Sequence, residues 1–191
     1  MSALGEGAPD PVFTEALAPA ERMSRAKLIG FGERYFNGIE QGNGDMVGFD
    51  PQCDRVENGV QTTNRTAPVP NVEQAAGNSA APGAFNLGRL GCREQFNTGM
   101  FGYITKIHDR RYPVVDEERG LVLAFVIFAH PGTVKTANVP GVGVMPMPAS
   151  ALRPFDTDLT ELFKIKAGKL RRVEAVVASM PYGMPSAWPA K

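Results

Sequence analysis

A chain of 191 residues with 43% hydrophobic content can bury one sizeable core and is short for two. Its 20 basic and 20 acidic side chains cancel, so there is no basic stripe to hold a phosphate backbone or an anionic lipid surface, and neither nucleic acid nor membrane is an expected partner. No stretch approaches the roughly 18 consecutive apolar residues of a spanning helix, and the opening MSALGEGAPDPVF carries no basic leader. The chain therefore reads as soluble and cytoplasmic.

Residues 1–20 form a polar, proline-containing arm. Pro19 stands where the first turn of a helix tolerates proline, and the helix continues through AERMSRAKLIGFGERYFNGIEQGN. Leu28, Phe31, Tyr35, Phe36 and Ile39 recur at spacings of three and four, on one face of it. Gly42-Asn43-Gly44 ends it, and a short turn or helix at 45–49 leads into RVENGVQTTNR, a polar strand. There Arg55 and Glu57 share one face as an ion pair, and Val56 and Asn58 look to the other.

The stretch 66–88 is rich in Ala, Pro, Gly and Asn and has no sustained period, which makes it a candidate lid or a plain loop. Gly91 to Ile107 reads as a helix with Phe96, Met100, Tyr103, Ile104 and Ile107 on one side, and His108 sits at its C-terminus, where the helix dipole suffices to explain it. A strand, a charged turn ending at Gly120 and a two-faced apolar strand from Leu121 to His130 follow. ANVPGVGVMPMPAS makes an irregular return. TDLTELFKIK and KLRRVEAVVASM, joined by Ala167-Gly168, form a hairpin. The tail, 181–191, carries Tyr182 and the lone Trp188.

Only Cys53 and Cys92 are present, without a CxxC pair or adjacent histidines, so a thiolate metal centre is not expected. In a reducing compartment two buried thiols are preferred over a disulfide between them. Dinucleotide and phosphate loops, HExxH and GxSxG are all missing, so no cofactor or catalytic metal is suggested.

This order predicts an α+β fold in which helices cover one face of a curved antiparallel sheet. Four local patterns, ERYFNGIEQGN, VENGV, GCREQF and ELFKIKAGKLRRVEAV, give it a resemblance to the nuclear transport factor 2-like superfamily. That superfamily holds steroid isomerases, scytalone dehydratase, polyketide cyclases and limonene epoxide hydrolase beside non-enzymatic transport and scaffold domains. The resemblance covers 21–180 and implies a cone-shaped sheet wrapped around a long N-terminal helix with two further helices, open to a small apolar molecule, and a homo-oligomer.

Similarity to the steroid isomerase pattern implies roles for three residues. Tyr35 falls where that pattern has its hydrogen-bonding tyrosine, and a core tyrosine is the alternative. Glu161 falls near the acid that stays protonated, and strand parity independently puts it beside Leu159, Phe163 and Ile165; an outward-facing or arginine-paired carboxylate is the alternative. Asn58 falls where the pattern has its aspartate base, and an amide cannot take a proton near neutral pH.

The expected substitute base is His130, which ends its strand before Pro131-Gly132, either lining the pocket or exposed. Phe101, Phe125, Phe163 and Trp188 are expected to contact the substrate. The resemblance thus implies a cofactor-independent lyase for a small hydroxylated aromatic compound, by dehydration or retro-aldol cleavage. Its nearest branch is the bacterial lyases that act on lignin-derived diarylpropanes. A non-catalytic binding module and a double-bond isomerase or cyclase are the alternatives.

Overall fold

The computed structural model describes residues 10–66 and 85–188. Positions 1–9, most of the expected lid (67–84) and 189–191 lie outside the described residues. Asp10 caps a first short helix, α1 (Pro11–Thr14), by accepting from the Val12 amide at 3.0 Å. Phe13 and Leu17 then bury themselves against the sheet domain, so the expected polar arm is in part a packed one.

Pro19 opens only a 3-10 turn, Pro19–Glu21, which Arg22 ends in extended backbone. The long helix α2 starts later than expected and spans Arg25–Gln41. Its buried face carries Leu28, Phe31, Tyr35, Phe36 and Ile39, the apolar spacing read from the sequence. Gly42 terminates it in the left-handed region at φ 59°, and the Gly42 and Asn43 amides return to the Ile39 and Gly38 carbonyls.

Among the described residues eight strands follow: β1 (Phe49–Glu57), β2 (Val60–Gln61), β3 (Lys106–Asp116), β4 (Leu121–His130), β5 (Thr136–Val139), β6 (Gly143–Pro146), β7 (Phe155–Lys166) and β8 (Lys169–Met180). Six of them form one sheet in the order β2-β1-β8-β7-β4-β3, and β5-β6 stand apart as a hairpin. The sheet is curved but mixed, which corrects the antiparallel expectation. β1 runs parallel to β8, Arg55 opposite Val173 and Glu57 opposite Ala175; β2 to β7 lie between them in the chain, so no hairpin dictates their relative direction. β2 and β3 are its two edges, so the barrel is not closed.

Ala167-Gly168 makes the β7–β8 turn with φ values of 49° and 71°, a two-residue turn whose twist matches its strands. Gly120 ends the β3–β4 turn at φ 63°, where an added Cβ would stand 2.3 Å from the Ile165 carbonyl oxygen and 2.8 Å from Leu17 Cδ1. Gly120→Ala is expected to lower stability by about 2 kcal/mol, read as a lower urea midpoint with an unchanged slope.

The predicted helix at Gly91–Ile107 is another correction. Helix α3 spans only Cys92–Asn97. Gly99 then takes a positive φ of 71°, the chain turns through Gly102, and Lys106 already belongs to β3. His108 accordingly lies on β3, beside a register shift, and not at a helix end.

The main core joins α2 to the inward residues of β4 (Val122, Ala124, Val126, Phe128) and β7 (Leu159, Phe163, Ile165). A smaller core gathers Leu87, Met100, Ala137, Val139, Met147 and Ala151 beneath the β5–β6 hairpin. Phe101 and Tyr103 touch both cores and so mark the seam between them. Cys53 on β1 and Cys92 on α3 form a disulfide with their Cα atoms 5.9 Å apart. This corrects the free-thiol expectation: packing brings two distant sequence positions into the bridging range.

Candidate functional site

The seam opens as a cleft of about 250 Å³. Arg55 and Glu57 of β1, Thr62, and Gln95 of α3 supply its polar side. Met100, Phe101, Tyr103 and Phe155, with Leu87 and Pro148, supply the apolar side. The volume lies just below the usual range for ligand pockets, which suits a single ring or a compact bicyclic molecule.

Arg55 is the pivot. Its burial pattern follows from β1 itself: Cys53 and Arg55 are the two buried positions of the strand, two residues apart on one face. Only 5% exposed, the guanidinium donates from Nε to the Tyr35 hydroxyl at 2.9 Å, from Nη1 to Gln95 Oε1 at 2.8 Å and from Nη2 to Glu57 Oε1 at 2.6 Å. Rings of Phe101, Phe96 and Tyr35 lie 5.1, 5.4 and 5.9 Å from Cζ, within cation–π range. Burial works against its charge, yet the Tyr35 hydroxyl it bonds and the Glu57 carboxylate hold the group more firmly protonated than an ordinary arginine.

Gln95 is the second organiser. While its oxygen accepts from Arg55, its Nε2 donates to the Thr62 carbonyl and to the Leu87 carbonyl, the latter at 2.9 Å. One amide thus ties α3, β1 and the segments flanking 67–84 together. Two local signals point to this centre, the unusual polarity of RVENGVQTTNR and the glutamine of GCREQF. Arg55 and Glu57 were expected as an ion pair, whereas Gln95 and Phe155 were not among the expected site residues.

Among the expected catalytic residues, Tyr35 and Glu161 converge on this arrangement from inside the core. Tyr35 is fully buried, its ring 5.0 Å from that of Phe163, and its hydroxyl accepts from Arg55; burial, opposed by Arg55, holds its proton far above the usual range. Glu161, 2% exposed, has its pKa pushed up to about 8, first by burial and also by Glu57, with Arg55 opposing. Its Oε2 is buried without a hydrogen-bond partner. A neutral acid at physiological pH follows.

His130 is also buried, at 3% exposed. It stands behind the cleft wall, stacked on Phe155 with centroids 4.1 Å apart and tilted against Tyr103 at 5.3 Å. Burial lowers its pKa to about 4 even though Asp156 opposes the shift, so the imidazole is neutral. Asn58 is elsewhere. With Gly59 it forms the β1–β2 turn at φ 49° and 78°, and its exposed amide donates to the Val177 carbonyl at 3.1 Å and accepts from the Val177 amide at 2.9 Å. The NG dipeptide in VENGV was a hairpin signal, and the position serves the turn.

The four expected substrate contacts divide as well. Phe101 lines the cleft. Phe163 lies in the main core at 0% exposed. Phe125 and Trp188 stack on each other, centroids 5.1 Å apart, on the sheet face opposite Ala124 and Val126. The tail reaches that outer face by way of the Gly183 amide, which donates to Asp156 Oδ2 at 2.7 Å. Tyr103 takes a place at the cleft wall: burial, with Glu57 adding to it, pushes its pKa up to about 12, so it offers a neutral hydroxyl. Among the described residues there is no group of three His, Cys, Asp or Glu side chains placed to hold a metal ion, and no helix is long and apolar enough to cross a membrane.

Residues 21–177 match the family described as a domain of unknown function, DUF8021, and the chain belongs to that family. A search of curated proteins gave no significant match. Among solved structures the chain is similar to AusH from Aspergillus nidulans, 12% identical, with 81% of this chain and 86% of that one covered at a TM-score of 0.42. It is similar to the BvnE pinacolase from Penicillium brevicompactum, 15% identical, with 80% and 86% covered at 0.40. A putative SnoaL-like polyketide cyclase from Jannaschia sp. CCS1 is 17% identical, with 85% and 90% covered at 0.39.

Proposed function

We propose that the chain is a cofactor-independent enzyme that moves protons on a small hydroxylated aromatic compound, eliminating water or cleaving a carbon–carbon bond in retro-aldol fashion. The observation that carries this reading is the pairing of buried Arg55 with partly exposed Glu57, opening on an aromatic cleft. Glu57, whose side chain is 36% exposed, is the carboxylate within reach of a ligand, and it takes a proton from the substrate. Arg55 stabilises the negative charge that develops on a substrate oxygen, and Tyr103 donates a hydrogen bond to the same group. In a dehydration, the proton held by Glu57 returns to the departing hydroxyl as water forms.

Tyr35 and Gln95 position Arg55. Glu161 stays neutral behind it, so no second buried anion competes with substrate charge for the guanidinium. His130 backs Phe155 and Tyr103. A lignin-derived diarylpropane exceeds a single ring, and on this reading only one of its aryl groups enters. The disulfide supports work in oxidising surroundings in place of the cytoplasmic setting expected from the sequence.

Incubation with a panel of phenolic β-hydroxy ketones, aryl aldols and diarylpropane diols, followed by mass spectrometry, is expected to show loss of water or release of an aldehyde. Glu57→Gln and Tyr103→Phe should each lower the rate by about 100-fold. Binding without product would favour the non-catalytic module, and a panel with neither binding nor product would end the enzymatic reading.

A further inference from the structure

The Cys53–Cys92 disulfide sits at a specific place relative to the cleft. On β1, Cys53 precedes Arg55 by two residues and shares its buried face. On α3, Cys92 precedes Gln95 by three, and both are buried, on one side of the helix. The S–S bond and the Arg55–Gln95 hydrogen bond are therefore adjacent rungs between the same two elements, one covalent and one polar.

Beside these two rungs, the Phe96 ring also ties α3 to β1. α3 has six residues, too few to persist by itself, and it shares no ladder hydrogen bond with β1. Its other ties are Phe96, whose ring meets that of Phe49 on β1 at 5.1 Å and lies 5.4 Å from Arg55 Cζ, Asn97 Oδ1 accepting from the Gly44 amide at 2.6 Å, and the exposed Arg93–Asp45 pair; of these Phe96 alone touches β1, by ring packing that is less directional than the bridge or the hydrogen bond. The segment closed by the bridge includes Thr62, Leu87 and Gly88, all cleft-lining. Asn64 fastens the near side of that segment, donating from Nδ2 to the Cys53 carbonyl at 2.9 Å while its amide donates to the Leu90 carbonyl at 3.0 Å.

We propose that the Cys53–Cys92 bridge is a positioning device for the cleft, holding α3 against β1 so that Gln95 meets Arg55 and closes the polar wall. A chain without the bridge keeps its sheet and loses the order of that wall. This rests on the cleft being the functional site, but its test does not require a substrate.

Hydrogen exchange followed by mass spectrometry compares the wild type with Cys53→Ser/Cys92→Ser. The expected result is at least tenfold faster exchange in 62–65 and 85–97, with β4 and β7 unchanged. Gln95→Met, measured beside it, keeps the bridge and removes the amide; it should speed exchange at 62–65 and 87–90 while 92–94 stay protected. Equal acceleration throughout the sheet, or failure of the double variant to fold, would show a general stability cross-link and overturn the proposal. So would exchange unchanged at 85–97. Failure of the substrate panel with this local pattern intact would remove the enzymatic reading alone.

Discussion

Arg55→Met is expected to cost about 3–5 kcal/mol of folding stability and to lower turnover at least 100-fold. The charge is buried, and its removal leaves the Glu57 carboxylate, the Gln95 oxygen and the Tyr35 hydroxyl without their donor. Desolvated groups left unpaired account for more of that loss than the bonds themselves. The double variant Arg55→Met/Glu57→Met separates structure from chemistry. Replacing both charges by apolar side chains should recover much of the stability, because the uncompensated carboxylate goes too. It should recover none of the turnover. Urea denaturation and product formation, measured on the same three proteins, check this; recovery of turnover with stability would show that Arg55 acts only as a structural cation.

The second large effect is on stability against pH. Burial raises the Glu161 pKa to about 8 in the folded chain, from an ordinary 4.5. Its raised value means that the unfolded chain releases the proton first as pH rises, so stability falls from pH 4.5 and levels off above 8. Each pH unit in that interval costs about 1.4 kcal/mol. His130 works the other way: its folded pKa of about 4 lies below the usual 6.5, and the stability it contributes above pH 6.5 is lost as pH falls toward 4. The two oppose each other between 4.5 and 6.5, which leaves pH 6.5 to 8 as the interval where Glu161 shows cleanly. Glu161→Gln should flatten the wild-type decline there. A decline that persists in the variant would place Glu161 in contact with water or with a closer cation.

The elements that were legible in the sequence are those whose signals are local. The α2 face followed from spacings of three and four, and the β7–β8 hairpin from two strand-like runs around Ala167-Gly168. The false helix at Gly91–Ile107 had the same local signal, since Phe96, Met100, Tyr103, Ile104 and Ile107 keep helical spacing by accident. Gly99 and Gly102 break it, and those residues serve a turn at the seam between two cores. The parallel pairing of β1 with β8 was not legible, because alternation along a strand says which side faces inward and nothing about the direction of its neighbour. Nor was the disulfide, which depends on where α3 lands.

For the site, parity placed Arg55 with Glu57 and put Glu161 among Leu159, Phe163 and Ile165. Polarity alone gave no sign that Arg55 would be buried, since its cover comes from Phe96 and Phe101, about 40 residues further on. Asn58 was read through the resemblance as a strand residue at the position of a base, and the NG dipeptide, a hairpin signal left unused, is what the backbone at positive φ follows.

The parallel contact between β1 and β8 also fixes an order of events during synthesis. Among the described residues β1 precedes the other strands and β8 follows them, so the parallel ladder partner of Arg55 and Glu57 becomes available only after β2 to β7 have been made. Both cysteines emerge before β3, and the bridge can form while β1 still lacks that neighbour. Oxidation would then act as an early clamp, pairing α3 with β1 in advance and leaving β8 to dock beside a half-built wall.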